Sequence, residues 1–120
     1  MPESDPASLD YCYVTTRGRR TGRPHEIEIW FGMEGGRIFI LSGGREKSDW
    51  VRNIRNDPRV EVRIGDGKYS ALARIVEDVD EDALARKLLL EKYRARYSGD
   101  LSDWGRTALP VAIDLGENRG

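Results

Sequence analysis

The 120-residue chain contains one cysteine, Cys12, and one histidine, His25. An internal disulfide is therefore excluded, and no set of soft ligands for zinc or iron can be assembled, so no metal site is expected. A histidine-based triad would have to use His25, which lies in a loop-to-strand stretch without a nucleophile elbow nearby. Side-chain catalysis is poorly provided for. No apolar run approaches the roughly 18 residues that a membrane span requires. The start, Met1-Pro2-Glu3-Ser4-Asp5-Pro6, lacks the basic and apolar regions of a signal peptide, and a soluble, cytoplasmic protein is the expectation.

The chain length leaves room for one domain with one modest core. Hydrophobic residues make up 38% and charged residues 34%, but the apolar residues fall in clustered, periodic runs, which excludes wholesale disorder. The net charge of −1 hides an uneven distribution. Residues 1–16 carry three acids and no bases, whereas residues 17–63 carry eleven bases against seven acids, a net +4. The basic excess belongs to the first half. Arg52, Arg55, Arg59 and Arg63 recur there, yet intervening acids and an isoelectric point near 5.9 argue against nucleic acid as partner.

Residues 1–10 read as a flexible lead-in and residues 11–116 as a single domain. Tyr11–Thr16 is β-branched and aromatic and suggests a strand. His25–Phe31 alternates, with Ile27, Ile29 and Phe31 on one face and Glu26, Glu28 and Trp30 on the other, as a half-buried strand should. Gly35-Gly36 closes a hairpin into Arg37–Leu41, whose unbroken apolar run suggests burial on both faces. Ser48 is placed to cap a short helix that Asn56-Asp57-Pro58 stops. Val60–Ile64, a Gly65-Asp66-Gly67 turn and Lys68–Glu77 form a further hairpin. Asp80 is expected to cap the longest helix, with Ala85, Leu89, Tyr93 and Tyr97 along one face. A connector through Trp104 then leads to a last strand, Leu109–Leu115. Six strands dominated by hairpins, without regular helix alternation, indicate a mainly β (α+β) fold, a small antiparallel barrel with appended helices.

Two glycine-rich basic loops lie at strand ends. Gly18-Arg19-Arg20-Thr21-Gly22-Arg23-Pro24 combines exposed amides with guanidinium forks, a chemistry suited to phosphate or carboxylate, though also to a solvated hairpin loop. Gly43-Gly44-Arg45-Glu46-Lys47-Ser48 precedes a helix N-terminus, where unpaired amides favour an anion. It has the spacing of neither a Walker loop nor a dinucleotide fingerprint. Two such loops in one chain favour a shared polyanionic ligand.

Taken together, Thr15-Thr16-Arg17-Gly18-Arg19-Arg20-Thr21-Gly22-Arg23-Pro24, Glu28-Ile29-Trp30-Phe31, Leu41-Ser42-Gly43-Gly44, Asp49-Trp50-Val51-Arg52-Asn53, Asn56-Asp57-Pro58-Arg59-Val60 and Arg106-Thr107-Ala108-Leu109-Pro110-Val111 resemble the deazaflavin-dependent nitroreductase family. The resemblance implies an FMN-binding-like split β-barrel and a deazaflavin coenzyme, F-420, with FMN as the alternative. It implies that the protein itself supplies no catalytic residue and that the cofactor carries a hydride to a small electron-poor acceptor: a quinone, an enone or a nitro compound. By the same resemblance, Arg19, Arg20, Thr21, Gly22, Pro24, His25, Glu28, Leu41, Ser42, Gly43, Gly44, Arg45, Asp49 and Trp50 would bind the cofactor. Tyr93, Tyr97 and Trp104 would wall the acceptor pocket. A homodimer is compatible with this reading, as is a non-catalytic cofactor carrier.

Overall fold

The computed structural model describes residues 6–118; residues 1–5, half of the expected flexible lead-in, lie outside the described residues. Seven strands occur among the described residues: β1 (Cys12–Arg17), β2 (Pro24–Ile29), β3 (Gly32–Glu34), β4 (Arg37–Ser42), β5 (Arg59–Ile64), β6 (Gly67–Ile75) and β7 (Leu109–Asn118). They form one sheet in the order β2-β1-β5-β6-β7-β4-β3, and every pairing is antiparallel. Helix α1 (Asp49–Asn56) joins β4 to β5, while α2 (Val79–Arg94) and α3 (Ser102–Thr107) lie between β6 and β7. No described helix is long and apolar enough to cross a membrane.

β2 and β3 are separated by only Trp30 and Phe31, yet they form opposite edges of the sheet. A sheet whose two edges are two residues apart in sequence must curl until the edges nearly meet, which gives the half-closed barrel. The expected strand His25–Phe31 therefore ends at Ile29, a further strand, β3, follows Phe31, and the count is seven rather than six. The alternation runs in phase through Ile27, Ile29 and Phe31, so the burial pattern alone conceals the switch of partner. A Cβ at Gly32 would stand 2.9 Å from the Leu88 Cβ, so only glycine lets the chain cross this closely beneath α2.

The concave side of the curl buries Val14, Phe31, Ile38, Ile40, Val62, Val111 and Ile113. A second cluster, of Phe39, Leu41, Ala85, Leu89, Tyr93 and Ala112, fills the space beneath α2. β4 contributes to both, as its unbroken apolar run requires. Trp30, expected on a solvated face, packs against the second cluster.

Three boundaries differ from expectation. Asp78, not Asp80, caps α2, its Oδ2 accepting from the Glu81 amide at 2.9 Å. α2 ends at Arg94, which leaves Tyr97 beyond the helix. Finally, the connector around Trp104 is the helix α3. Residues 6–10 are not free either. Leu9 packs on the concave core, and Arg96 donates to the Ser8 carbonyl at 2.8 Å and to Asp10 Oδ1 at 2.5 Å.

Candidate functional site: a basic cleft beside helix α1

The chain leaves β1 at Arg17 and returns at Pro24 through a loop closed by two backbone bonds, Gly18 N to Arg23 O and Gly22 N to Gly18 O, both 2.8 Å. Gly22 has φ +74°, a conformation that side chains rarely adopt. The Thr21 hydroxyl accepts from the Arg23 amide at 3.2 Å. Closed in this way, the loop presents Arg19, Arg20 and Arg23 toward α1.

From α1, Asp49 and Asn53, four residues apart, face the loop. Asn53 Oδ1 accepts from the Arg19 amide at 3.3 Å and from Arg19 Nη1 at 3.0 Å, and Asp49 Oδ1 accepts from Arg19 Nη2 at 3.3 Å. Asn53 Nδ2 in turn donates to Thr16 Oγ1 at 3.0 Å. Between loop and helix lies a cleft of about 810 Å³ lined by Thr16, Arg19, Arg20, Thr21, Arg23, His25, Asp49, Trp50 and Asn53, among others. Its surface offers guanidinium, hydroxyl and imidazole groups, with Asp49 and Glu26 as its carboxylates.

Of the residues expected to bind a cofactor, Arg19, Arg20, Thr21, His25, Asp49 and Trp50 thus meet in one place. The others do not line it. Gly22 shapes the loop, and Pro24 lines a neighbouring cleft of about 790 Å³ together with Val60, Leu72 and Leu115. Glu28 is engaged on the exterior, accepting from the Tyr13 hydroxyl at 2.6 Å. Leu41 is a core residue, and the buried Ser42 hydroxyl is bonded to Ser48 Oγ at 2.7 Å and to the Arg45 carbonyl at 3.1 Å. Ser48 sits at the N-cap position of α1, yet its hydroxyl makes this contact instead of capping.

The second glycine loop turns toward α3. A Cβ on Gly43 would stand 3.9 Å from Trp104 Cδ1, and Arg45 Nη1 donates to the Thr107 carbonyl. Trp104 belongs to an aromatic cluster centred on Trp30, which stacks on Tyr93 at 4.2 Å and meets the edges of Tyr97 and Trp104, each at 5.5 Å. Within it Tyr97 is 49% exposed, but Tyr93 is only 1% exposed. The Tyr93 hydroxyl accepts from the Phe31 amide at 2.9 Å and lies 2.7 Å from the Asp10 carbonyl and 3.1 Å from that of Phe31. Burial pushes its phenol well above the usual range, so the group stays protonated. The hydroxyl of Tyr93 is therefore a tie within the core.

Three contributors escaped the sequence reading: Trp30, Thr16 and Asn53. The spacing of Asp49 and Asn53 was the available signal, since it places an amide and an acid on one face of α1. Among the described residues, no three His, Cys, Asp or Glu side chains stand close enough to hold a metal ion.

The family described as F420H(2)-dependent quinone reductase matches residues 6–116. The F420H(2)-dependent quinone reductase of Mycobacterium tuberculosis (strain H37Rv) is 26% identical over 117 residues, covering 94% of this chain and 74% of the relative. Among solved structures, a conserved hypothetical protein of Mycobacterium tuberculosis superposes with a TM-score of 0.75 at 23% identity, over 94% of this chain and 77% of the other. An F420-H2 dependent reductase superposes with a TM-score of 0.70, also at 23% identity, over 89% of this chain and 94% of the other. A heme binding protein of Mycobacterium smegmatis shares the fold as well, with a TM-score of 0.69 at 19% identity over 94% of this chain and 52% of the other, so the fold by itself does not select the ligand. The family match, covering nearly the whole described chain, carries the conclusion: this protein belongs to the F420H(2)-dependent quinone reductase family, oxidoreductases that work with coenzyme F-420.

Proposed function

We propose that this chain passes a hydride from reduced coenzyme F-420 to a small electron-poor acceptor, a quinone foremost, with enones and nitro compounds as further candidates. The observation that carries the reading is the convergence of Arg19, Arg20 and Arg23 on one large cleft in a protein with a single histidine and a single, buried cysteine. When bound, the cofactor supplies the redox chemistry, which accounts for the lack of a side-chain nucleophile or acid/base pair. The residues present fit such a group. Guanidinium forks suit a phosphodiester and a carboxylate tail, and the cleft is large enough to take a nucleotide-sized ligand.

In this reading Arg19 and Arg20 bind the anionic part, with Arg23 and His25 beside them, while Trp50 forms an apolar wall. Gly43–Arg45 and the exposed edges of Tyr97 and Trp104 lie on the side from which an acceptor would approach. The test is steady-state oxidation of reduced F-420 with a panel of quinones, enones and nitro compounds, run in parallel with reduced FMN. Turnover with F-420 and quinone supports the proposal. Tight F-420 binding without turnover would make the chain a carrier, and turnover with FMN alone would replace the cofactor.

A further inference from the structure

Asn53, at once a donor and an acceptor, shares its face of α1 with Asp49 and is nonetheless 3% exposed, as buried as the helix's apolar residues Val51 and Ile54. Burying an amide there is unfavourable unless both its ends are satisfied. They are, and by two different elements: Oδ1 takes two bonds from Arg19 and Nδ2 gives one to Thr16 at the end of β1. The backbone bond at Arg19 N matters most for the loop. It fixes where the loop stands, while the bond at Nη1 fixes where its first guanidinium points.

We infer that Asn53 is the positioning residue of the anion site: it pre-sets the Arg19 loop, so that an incoming anion meets a guanidinium already held in the cleft. Asp49 completes the arrangement. Its carboxylate, 85% exposed, pairs with Arg19 Nη2 and so leaves the guanidinium held from the two α1 residues at once. An anion can displace the exposed Asp49 without disturbing the buried Asn53. Preorganisation of this kind raises affinity by removing the ordering cost from the binding step. The inference rests on the reading of the cleft as the F-420 anion site, and its experiment separates the two.

The test is a double-mutant cycle in the full chain, with oxidised F-420 as the probe and dissociation constants measured by fluorescence titration. Asn53→Ala weakens binding about tenfold in the wild-type background, the equivalent of one hydrogen bond to a charged group. In the Arg19→Ala background, the same change costs clearly less, because the guanidinium that Asn53 orients is gone while the bond to the backbone amide of residue 19 remains. Hydrogen exchange of the free protein supplies a readout without ligand: the Arg19 amide exchanges faster in Asn53→Ala and stays protected in Asn53→Asp, whose carboxylate still accepts from it. Asn53→Ser keeps a hydroxyl that can bond within the helix, and it serves for the cycle should the alanine variant not fold. Equal losses from Asn53→Ala with and without Arg19, or an unchanged exchange rate at Arg19, would overturn the positioning role while leaving the F-420 site intact. Wild-type protein that binds no F-420, yet shows the exchange change, would overturn the anion site instead.

Discussion

Tyr93→Phe separates the two roles open to this side chain, a wall of the acceptor pocket or a tie in the core. The substitution removes one oxygen and keeps the ring, so the 4.2 Å stack on Trp30 is preserved. What is lost is the acceptor for the Phe31 amide, a group on a residue with no exposed surface. The Phe31 carbonyl keeps a partner, since Lys92 Nζ donates to it at 2.9 Å. One buried N–H is thus stranded, at a cost of about 1–3 kcal/mol. For a chain of this size, 1 kcal/mol corresponds to about 4 °C, so the melting temperature falls by about 4–12 °C. Urea unfolding should show the same loss as a lower midpoint at an unchanged slope. Quinone kinetics of the folded enzyme stay unchanged, because the hydroxyl faces no cleft. A variant that melts like wild type but has a lowered kcat/KM would refute the assignment and return Tyr93 to the pocket.

Glu81 ties the start of α2 to β4 and β6 by accepting from Arg74, at 2.5 and 2.8 Å, and from Arg37 at 2.9 Å. The bond from Arg74, and then the charges of Arg74 and Arg37, outweigh desolvation and hold its carboxyl below its ordinary value of 4.5. A lowered folded-state pKa means that this stability is fully present above that ordinary value and is lost as the pH falls through the lower folded one. Glu81→Gln therefore lowers the melting temperature by about 4 °C at pH 7, corresponding to about 1 kcal/mol after allowance for the half-exposed arginines. The difference from wild type disappears in acid, and melts recorded as a function of pH check it. Burial pushes the Cys12 thiol up to about 12, so it reacts with a thiol reagent only after unfolding; rapid labelling of the native protein would contradict this. Gly32→Ala drives a Cβ against Leu88 and costs about 1–3 kcal/mol, seen as a lower urea midpoint.

The sheet was legible where side chains alternate or where a whole strand is apolar, as in β5 and β4. The edge switch at Trp30-Phe31 was not, because alternation records which face is buried and not which strand is the neighbour. α3 was hidden for another reason. Its residues, Ser102-Asp103-Trp104-Gly105-Arg106-Thr107, have poor helix propensity, and the helix stands through packing, with Gly105 set against Leu90 of α2. Tyr93 and Tyr97 share one spacing but not one fate, since the helix ends between them. In the site, the arginine loop announced itself by composition. Asn53 showed itself only through its four-residue spacing from Asp49, which carries no sign of the partners that tertiary structure brings to it. Glu28 and Leu41 shared their motifs with cofactor-binding candidates, yet the fold sends one to the exterior and the other to the core.

The central claim is that the Arg19-Arg20 loop beside α1 holds the anionic part of coenzyme F-420. Its most direct test is a side-by-side titration of wild type and the Arg19→Ala/Arg20→Ala variant with oxidised F-420 and with FMN. The account predicts that wild type prefers F-420, that the double substitution weakens this binding at least tenfold, roughly the loss of one charge-assisted contact or more, and that the loss shrinks at high salt. Unchanged F-420 affinity in the variant, in a protein that still melts cooperatively, would contradict it.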